Sequence, residues 1–183
     1  MHRLLAAGFV GVAVVGAALG LAPPGWGAAG SKVNSGYADS LVIELASTRG
    51  IPTVVHGSVA TLVGAPLVDR VRSMLRLPNY FSAGKFVAPS DPVKGTRLVL
   101  VLNPDNPVLA GQRICGDVSG VPVGGNAARF VLIGAFCRDG STLSEVDIRE
   151  SAVTGADDPR FQRYLDLATT LVFPTGLRVS PNT

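Results

Sequence analysis

Polar and apolar positions along the chain fall into short runs whose period changes from one run to the next. The most informative is residues 129–150, RFVLIGAFCRDGSTLSEVDIRE, two extended runs that meet at Asp139-Gly140. Asp-Gly between apolar runs signals a hairpin, because a type I′ turn needs positive φ at both central positions. A two-residue loop there sets a register: Arg138 opposite Ser141, Phe136 opposite Leu143, Ile133 opposite Val146, Val131 opposite Ile148 and Arg129 opposite Glu150. On that register Val131, Ile133, Ala135 and Cys137 share a core face with Val146 and Ile148. Phe130, Leu132 and Phe136 then face the same way as Glu145, Asp147 and Arg149, so the second face is split. A strand apolar on both sides is covered twice, which places the first strand mid-sheet. The charge alternation of the second places it nearer an edge or solvent and reads as solvated strand positions, not a catalytic carboxylate pair.

The other runs complete an α+β plan with a mostly antiparallel sheet and two amphipathic helices, one closing the C-terminus. Ser31–Gly36 reads as a loose lead-in. Leu41, Ile43 and Leu45 alternate with Val42 and Glu44, predicting a strand that pairs, after Thr48-Arg49-Gly50, with Ile51–Val55. Pro66 opens a helix ending before Pro78, with Leu67, Val68, Val71, Met74 and Leu75 at helical spacing and Arg70, Arg72 and Arg76 on its polar side. Thr96–Leu102 (TRLVLVL) is apolar on both faces, a second central strand. Asn103–Pro107 is dense turn chemistry, and Gln112–Cys115 reads as a short strand. Asp158-Pro159 starts the last helix as N-cap and first helical residue. Its stripe of Phe161, Tyr164, Leu165, Ala168, Leu171 and Val172 needs a sheet face, for which the face carrying Cys137 is the expected partner.

Composition bears on address. Residues 1–29 have a positive Arg3, an uninterrupted apolar run from Leu4 to Ala22 and small residues at Gly27-Ala28-Ala29, the layout of a cleavable secretory leader. That leaves 30–183 as one α+β domain, periplasmic or secreted, with membrane contact expected only if the N-terminal segment stays uncleaved. No cysteine follows the apolar run, so a lipid anchor is not expected. In an oxidising compartment the two cysteines, Cys115 and Cys137, are expected to pair. A hydrophobic share of 47% supplies a core, and a net charge of +3 is too weak, without interleaved aromatics, to imply nucleic acid.

Candidate chemistry is sparse. His56-Gly57-Ser58 is the best base-and-nucleophile fragment, but a serine hydrolase needs histidine, serine and an orienting carboxylate in one hydrogen-bonded geometry, and no G-x-S-x-G elbow is present. Once the leader is removed His56 is the only histidine, too few for a metal cluster. The Gly/Pro loop Ser119–Asn126 precedes a strand and lacks the lysine of a phosphate loop. No cofactor is expected. The residues singled out for a binding surface are His56, Arg72, Arg76, Tyr80 and Phe81, the last two as an aromatic pair in a loop.

RLVLVLNP (97–104), AFCRDGSTLSEV (135–146) and DDPRFQRYLDLATTLVFP (157–174) give the second half a resemblance to uncharacterised exported proteobacterial proteins of unknown function. The strand–hairpin–helix arrangement is more loosely similar to small envelope-assembly modules of bacterial lipoproteins. The resemblance implies a non-enzymatic role with another envelope protein or polymer as partner and supplies no catalytic residue. The alternative is a hydrolase acting on an envelope polymer or ester through His56.

Overall fold

In the computed structural model, residues 28–81, 84–124 and 128–175 are described. The expected leader up to residue 27, the end of the Gly/Pro loop at residues 125–127 and the last residues from 176 lie outside them. In chain order the elements are β1 (Ala28–Val33), α1 (Asp39–Thr48), β2 (Ile51–Val59), β3 (Leu62–Val63), α2 (Gly64–Met74), β4 (Phe86–Val87), β5 (Thr96–Leu102), α3 (Pro107–Arg113), β6 (Arg129–Arg138), β7 (Ser141–Ser151) and α4 (Pro159–Val172). The strands form one sheet in the order β1-β7-β6-β5-β2-β3, with β4 paired to β2. Pairing is antiparallel except for β2 with β5 and β2 with β4. The class is α+β, as expected.

The hairpin forms at Asp139-Gly140, whose φ values are 47° and 84°, and Arg138 faces Ser141. Beyond that first turn the predicted register fails. Cys137 faces Thr142 but Phe136 faces Ser144, so Leu143 is the extra residue of a β-bulge. Every later pair moves by one: Ile133 faces Asp147, Val131 faces Arg149, and Arg129 faces Ser151 instead of Glu150. A one-residue slip turns the whole side-chain set of a strand over. Val146 and Ile148 therefore join Phe130, Leu132 and Phe136, while Glu145, Asp147 and Arg149 join Val131, Ile133, Ala135 and Cys137. The unbulged register would have buried two carboxylates beneath a helix, which is costly without partners. The bulge segregates the charges from the aromatics.

The face made apolar in this way carries the main core. Phe130, Leu132, Phe136, Val146 and Ile148, with Leu98, Leu100 and Leu102 of β5 and Ile51, Val55 and Val59 of β2, meet α4, α2 and α1. The stripe of α4 is therefore correct in composition, but it lies on the face opposite Cys137. Phe130 stacks on Tyr164 at 5.4 Å and meets Phe161 edge-on at 5.7 Å. Full burial of each such ring stabilises by about 1.5–3 kcal/mol. Both central strands are where the apolar runs predicted, β6 between β7 and β5, and β5 between β6 and β2.

Three short segments differ from their predicted states. Residues 41–45 lie in helix α1, where Val42 and Leu45 are buried and Ile43 is 48% exposed. In so short a run the spacings of strand and helix both fit, and the contact of Val42 and Leu45 with the core decides. With no first hairpin, β2 pairs with β5 in parallel, and α2 lies in the crossover that parallel strands require. Residues 112–113 end helix α3 instead of starting a strand. Asn106 Oδ1 accepts from Leu109 N at 3.1 Å and Pro107 takes the first turn, a cap hidden among the turn residues. The first half of the expected lead-in Ser31–Gly36, residues 31–33, belongs instead to β1, paired along β7 from Ala28↔Arg149 to Val33↔Ser144, and residues 35–36 are turn. β7 is consequently one strand in from the edge, and β1 takes the edge.

Helix α4 starts as predicted on Asp158, which accepts from Arg160 N at 3.0 Å and from Thr154 N at 3.0 Å. Its end has neither glycine nor a basic residue, so its last carbonyls need outside donors. Tyr80 donates to Phe173 O at 2.9 Å, Tyr37 to Pro174 O at 2.9 Å, and Ser144 to Val172 O. Burial raises the pKa of the Tyr37 phenol, keeping it a donor.

A second, smaller core lies on the other face: Val99, Val101, Ile133, Ala135 and Cys137 beneath Ala110, Ile114, Cys115, Val118 and Val121. The Cys115–Cys137 disulfide, with Cα atoms 5.5 Å apart, fastens this layer to β6. Replacing both cysteines by alanine is expected to lower stability by roughly 3 kcal/mol on the loop-entropy account, read from guanidinium denaturation of oxidised wild type and variant. A second outcome concerns acid. Hydrogen bonds from Arg160 and Thr154 hold the Asp158 carboxyl below its ordinary range. A depressed carboxylate pKa contributes stability above the unfolded-state value near ~3.9, lost as pH falls through the folded one. Asp158→Asn should therefore have a flatter stability profile than wild type below about pH 4, measured by thermal melts across pH.

Candidate functional site

The residues singled out for a binding surface do not converge. Arg72 is spent on the fold, its Nε and Nη2 donating to Thr53 O at 3.1 and 2.7 Å and tying α2 to β2. Phe81 is buried against Phe173, edge-on at 6.4 Å. Tyr80 is 49% exposed, but its hydroxyl serves the α4 carbonyls. Arg76 is exposed and shares with Tyr80, Asn79, Asp166 and Thr170 a shallow polar recess of about 400 Å³. His56 is on the opposite side of the sheet. The structure thus joins Arg76, Tyr80 and Phe81 at the end of α4 and separates them from His56.

His56 holds a loop. Its Nε2 lies 2.8 Å from Val121 O, and because a carbonyl only accepts, Nε2 carries the proton and donates. Gly57, at φ 134°, follows where an added Cβ would collide with the Leu102 backbone, so only glycine fits there. No hydrogen bond joins His56 to Ser58 among the described residues; Ser58 O instead accepts from Asn103 Nδ2 at 2.9 Å. Asp117 and Ser119 stand near the histidine in the wrong order for acyl transfer. Asp117 accepts from Ser119 N at 2.9 Å, and the hydrogen bonds from Ser119, with the charges of Arg113 and His56, hold its carboxyl below the usual range. A triad places histidine between acid and serine. Here the acid holds the serine, and the histidine holds a backbone carbonyl.

The best-formed concavity was not foreseen from the sequence. α3 covers β5 and β6 but stops short of β7 and β1, leaving a trough of about 350 Å³. Ile133 and Ile114 form its apolar floor, Val108 and Gly111 of α3 one wall, and Glu145 and Asp147 with Gly30 and Lys32 the other. Gly30 and Gly111 have nothing within 4 Å of where a Cβ would stand, so these two glycines keep the trough open. Asp147 is held by Arg149, which donates from Nε at 3.0 Å and Nη2 at 2.8 Å. Glu145 is half-buried and forms no ion pair among the described residues. No local signal marks this site, because it needs the bulge that turns Glu145 outward and the unpredicted β1 beside it.

Beneath the trough-bearing layer lies Arg97, fully buried and opposite Cys137 on the neighbouring strand. Its Nη2 donates to Cys115 O at 2.6 Å and its Nη1 to Gly95 O at 3.2 Å, while its Nε has no partner. Burial lowers its pKa, opposed by the charges of Asp91 and Asp139. The guanidinium braces the backbone at the disulfide. Among the described residues no group of three His, Cys, Asp or Glu is placed to hold a metal ion, and no helix is long and apolar enough to cross a membrane. No protein-family model, curated protein or solved structure matches the chain.

Two substitutions separate these roles. His56→Ala should cost about 1 kcal/mol through the lost bond to Val121 O and raise hydrogen exchange in residues 117–124 but not in β5 and β6. Gly111→Ala should leave the fold intact and stabilise it by about 0.5–1 kcal/mol, as helix propensity predicts where space is open, read from the denaturation midpoint.

Proposed function

We propose that the protein is an exported binding or assembly factor of the cell envelope that works without catalysis and meets its partner at the α3–β7 trough. The observation that carries the reading is the disulfide under the trough wall. Cys115 immediately follows α3 and its neighbour Ile114, and the bond to Cys137 holds that wall on the sheet. A protein that places a disulfide beside an apolar-floored trough is suited to an oxidising compartment, and such concavities are where ligands bind. The layout of residues 1–29 and the resemblance to exported proteobacterial families support the same address, periplasmic or secreted. The partner is another envelope protein or a polymer, and neither a cofactor nor nucleic acid is part of the reading.

The competing reading is a hydrolase of envelope polymers or esters with His56 as base. It requires His56 to give up the bond from Nε2 to Val121 O or to act through Nδ1, and among the described residues no serine is bonded to either nitrogen. The two readings part on one experiment. Chain recovered from the exporting cell should begin at Gly30 on N-terminal sequencing, and cross-linking in the envelope should capture the same partner with wild type and His56→Ala. A hydrolytic activity abolished by His56→Ala, or retention of the whole chain in the cytoplasm, would overturn the proposal.

A further inference from the structure

We propose that the outer edge of β1 and the trough beside it receive an extended peptide segment, which adds a strand to the sheet and lodges a lysine or arginine side chain against Glu145. This inference rests on the binding reading above and specifies its partner. It joins two independent features. The first is an open sheet edge: β1 pairs with β7 along six residues, and among the described residues nothing pairs with its other side. An open edge offers a row of free N–H and C=O groups to a further strand, and strand addition takes affinity from those groups and specificity from pockets for alternate side chains.

The second feature is the pocket at that edge. Val101, Ile133, Asp147 and Gly30 form one row across the sheet on the trough face. A strand laid beside β1 would point every other side chain to that face. The side chain level with Gly30 meets no β1 side chain, because that position has no Cβ and open space where one would be. Neighbouring strands lie about 4.8 Å apart, so β7 is about 10 Å from the added strand. Only a long side chain crosses Gly30 to reach it. The trough is apolar beneath, at Ile133 and Ile114, and charged at its rim. That combination suits a methylene stem ending in a cation.

Charge selects the same occupant. Asp147 already holds Arg149, whereas the half-buried Glu145 has no ion pair among the described residues, and Lys32, its cross-strand neighbour, is exposed and pairs with neither carboxylate. A partner cation supplies what Glu145 lacks. The edge also persists under the export reading, because a leader ending at Ala29 leaves Gly30 to Val33 paired with β7.

The test uses the exported, oxidised chain and blocked peptides as long as the six-residue β1 of the uncleaved chain, enough to span the Gly30–Val33 part that export leaves, with threonine alternating with lysine, with glutamate or with norleucine. A fourth probe is the lysine peptide N-methylated at alternate amides, which keeps the charge and removes the strand donors. Binding is read by NMR titration. The lysine peptide should bind with shifts concentrated on β1 and Glu145, and the glutamate peptide and N-methylated probe about tenfold more weakly or not at all. Gly30→Val fills the open space without strain and should abolish binding while the protein melts no lower. Glu145→Gln should weaken the lysine peptide and leave the norleucine peptide unchanged. Equal binding of the N-methylated probe would overturn strand addition. So would no binding of any peptide, or a dimer in sedimentation that Gly30→Val dissociates, since a second copy would then occupy the edge. Those outcomes leave the broader binding reading standing, which falls instead on cytoplasmic retention or a His56-dependent hydrolysis.

Discussion

The arrangement of the molecule depends on where one residue, Leu143, is accommodated. By bulging at Leu143, β7 turns Val146 and Ile148 toward α4 and turns Glu145 and Asp147 away from it. Without the bulge, the face beneath the closing helix would mix phenylalanines with carboxylates, and α4 would have no uniformly apolar surface to cover. The same displacement places a half-buried carboxylate at the rim of the trough. Fold and candidate site are thus two results of one change of register.

The second layer depends on covalent and polar fastening more than on area. Its one helix among the described residues, α3, has seven residues, and its core is made of small and medium side chains. Such a layer gains less from burial than the α4 side, where six aromatic rings pack in two groups. The disulfide, the bond from His56 to Val121 O and the bond from Arg97 to Cys115 O hold it in place. Burying a guanidinium whose Nε has no partner is costly, and the strand position of Arg97 beneath Cys115 leaves it no route to water. That the chain keeps a charged brace there accords with a layer that must be positioned as well as present.

Residues whose neighbours in sequence are also their neighbours in space were legible. The Asp139-Gly140 turn, the Asp158 cap, the stripe of α4 and the two-sided runs of β5 and β6 all follow from local chemistry. The cap at Asn106-Pro107 was present and unread, because three further turn residues precede it. The site residues fared worse. His56 and Arg72, expected at a binding surface, each spend a donor on a distant carbonyl, of Val121 and Thr53, that no local pattern identifies. Tyr80 and Phe81 pack and cap where a binding role was expected.

By itself the sequence determined the class of fold, the central strands, the closing helix and the means to form one disulfide, because hydrophobic period, turn chemistry and cysteine count are properties of the chain. Only the tertiary structure decided the register past the bulge, the helical state of residues 41–45, the edge position of β1 and the existence of the trough. Each of these is a competition between alternatives of similar local quality. What separates them is the cost of burying charge and the gain of covering apolar surface, and both are set only when distant segments meet.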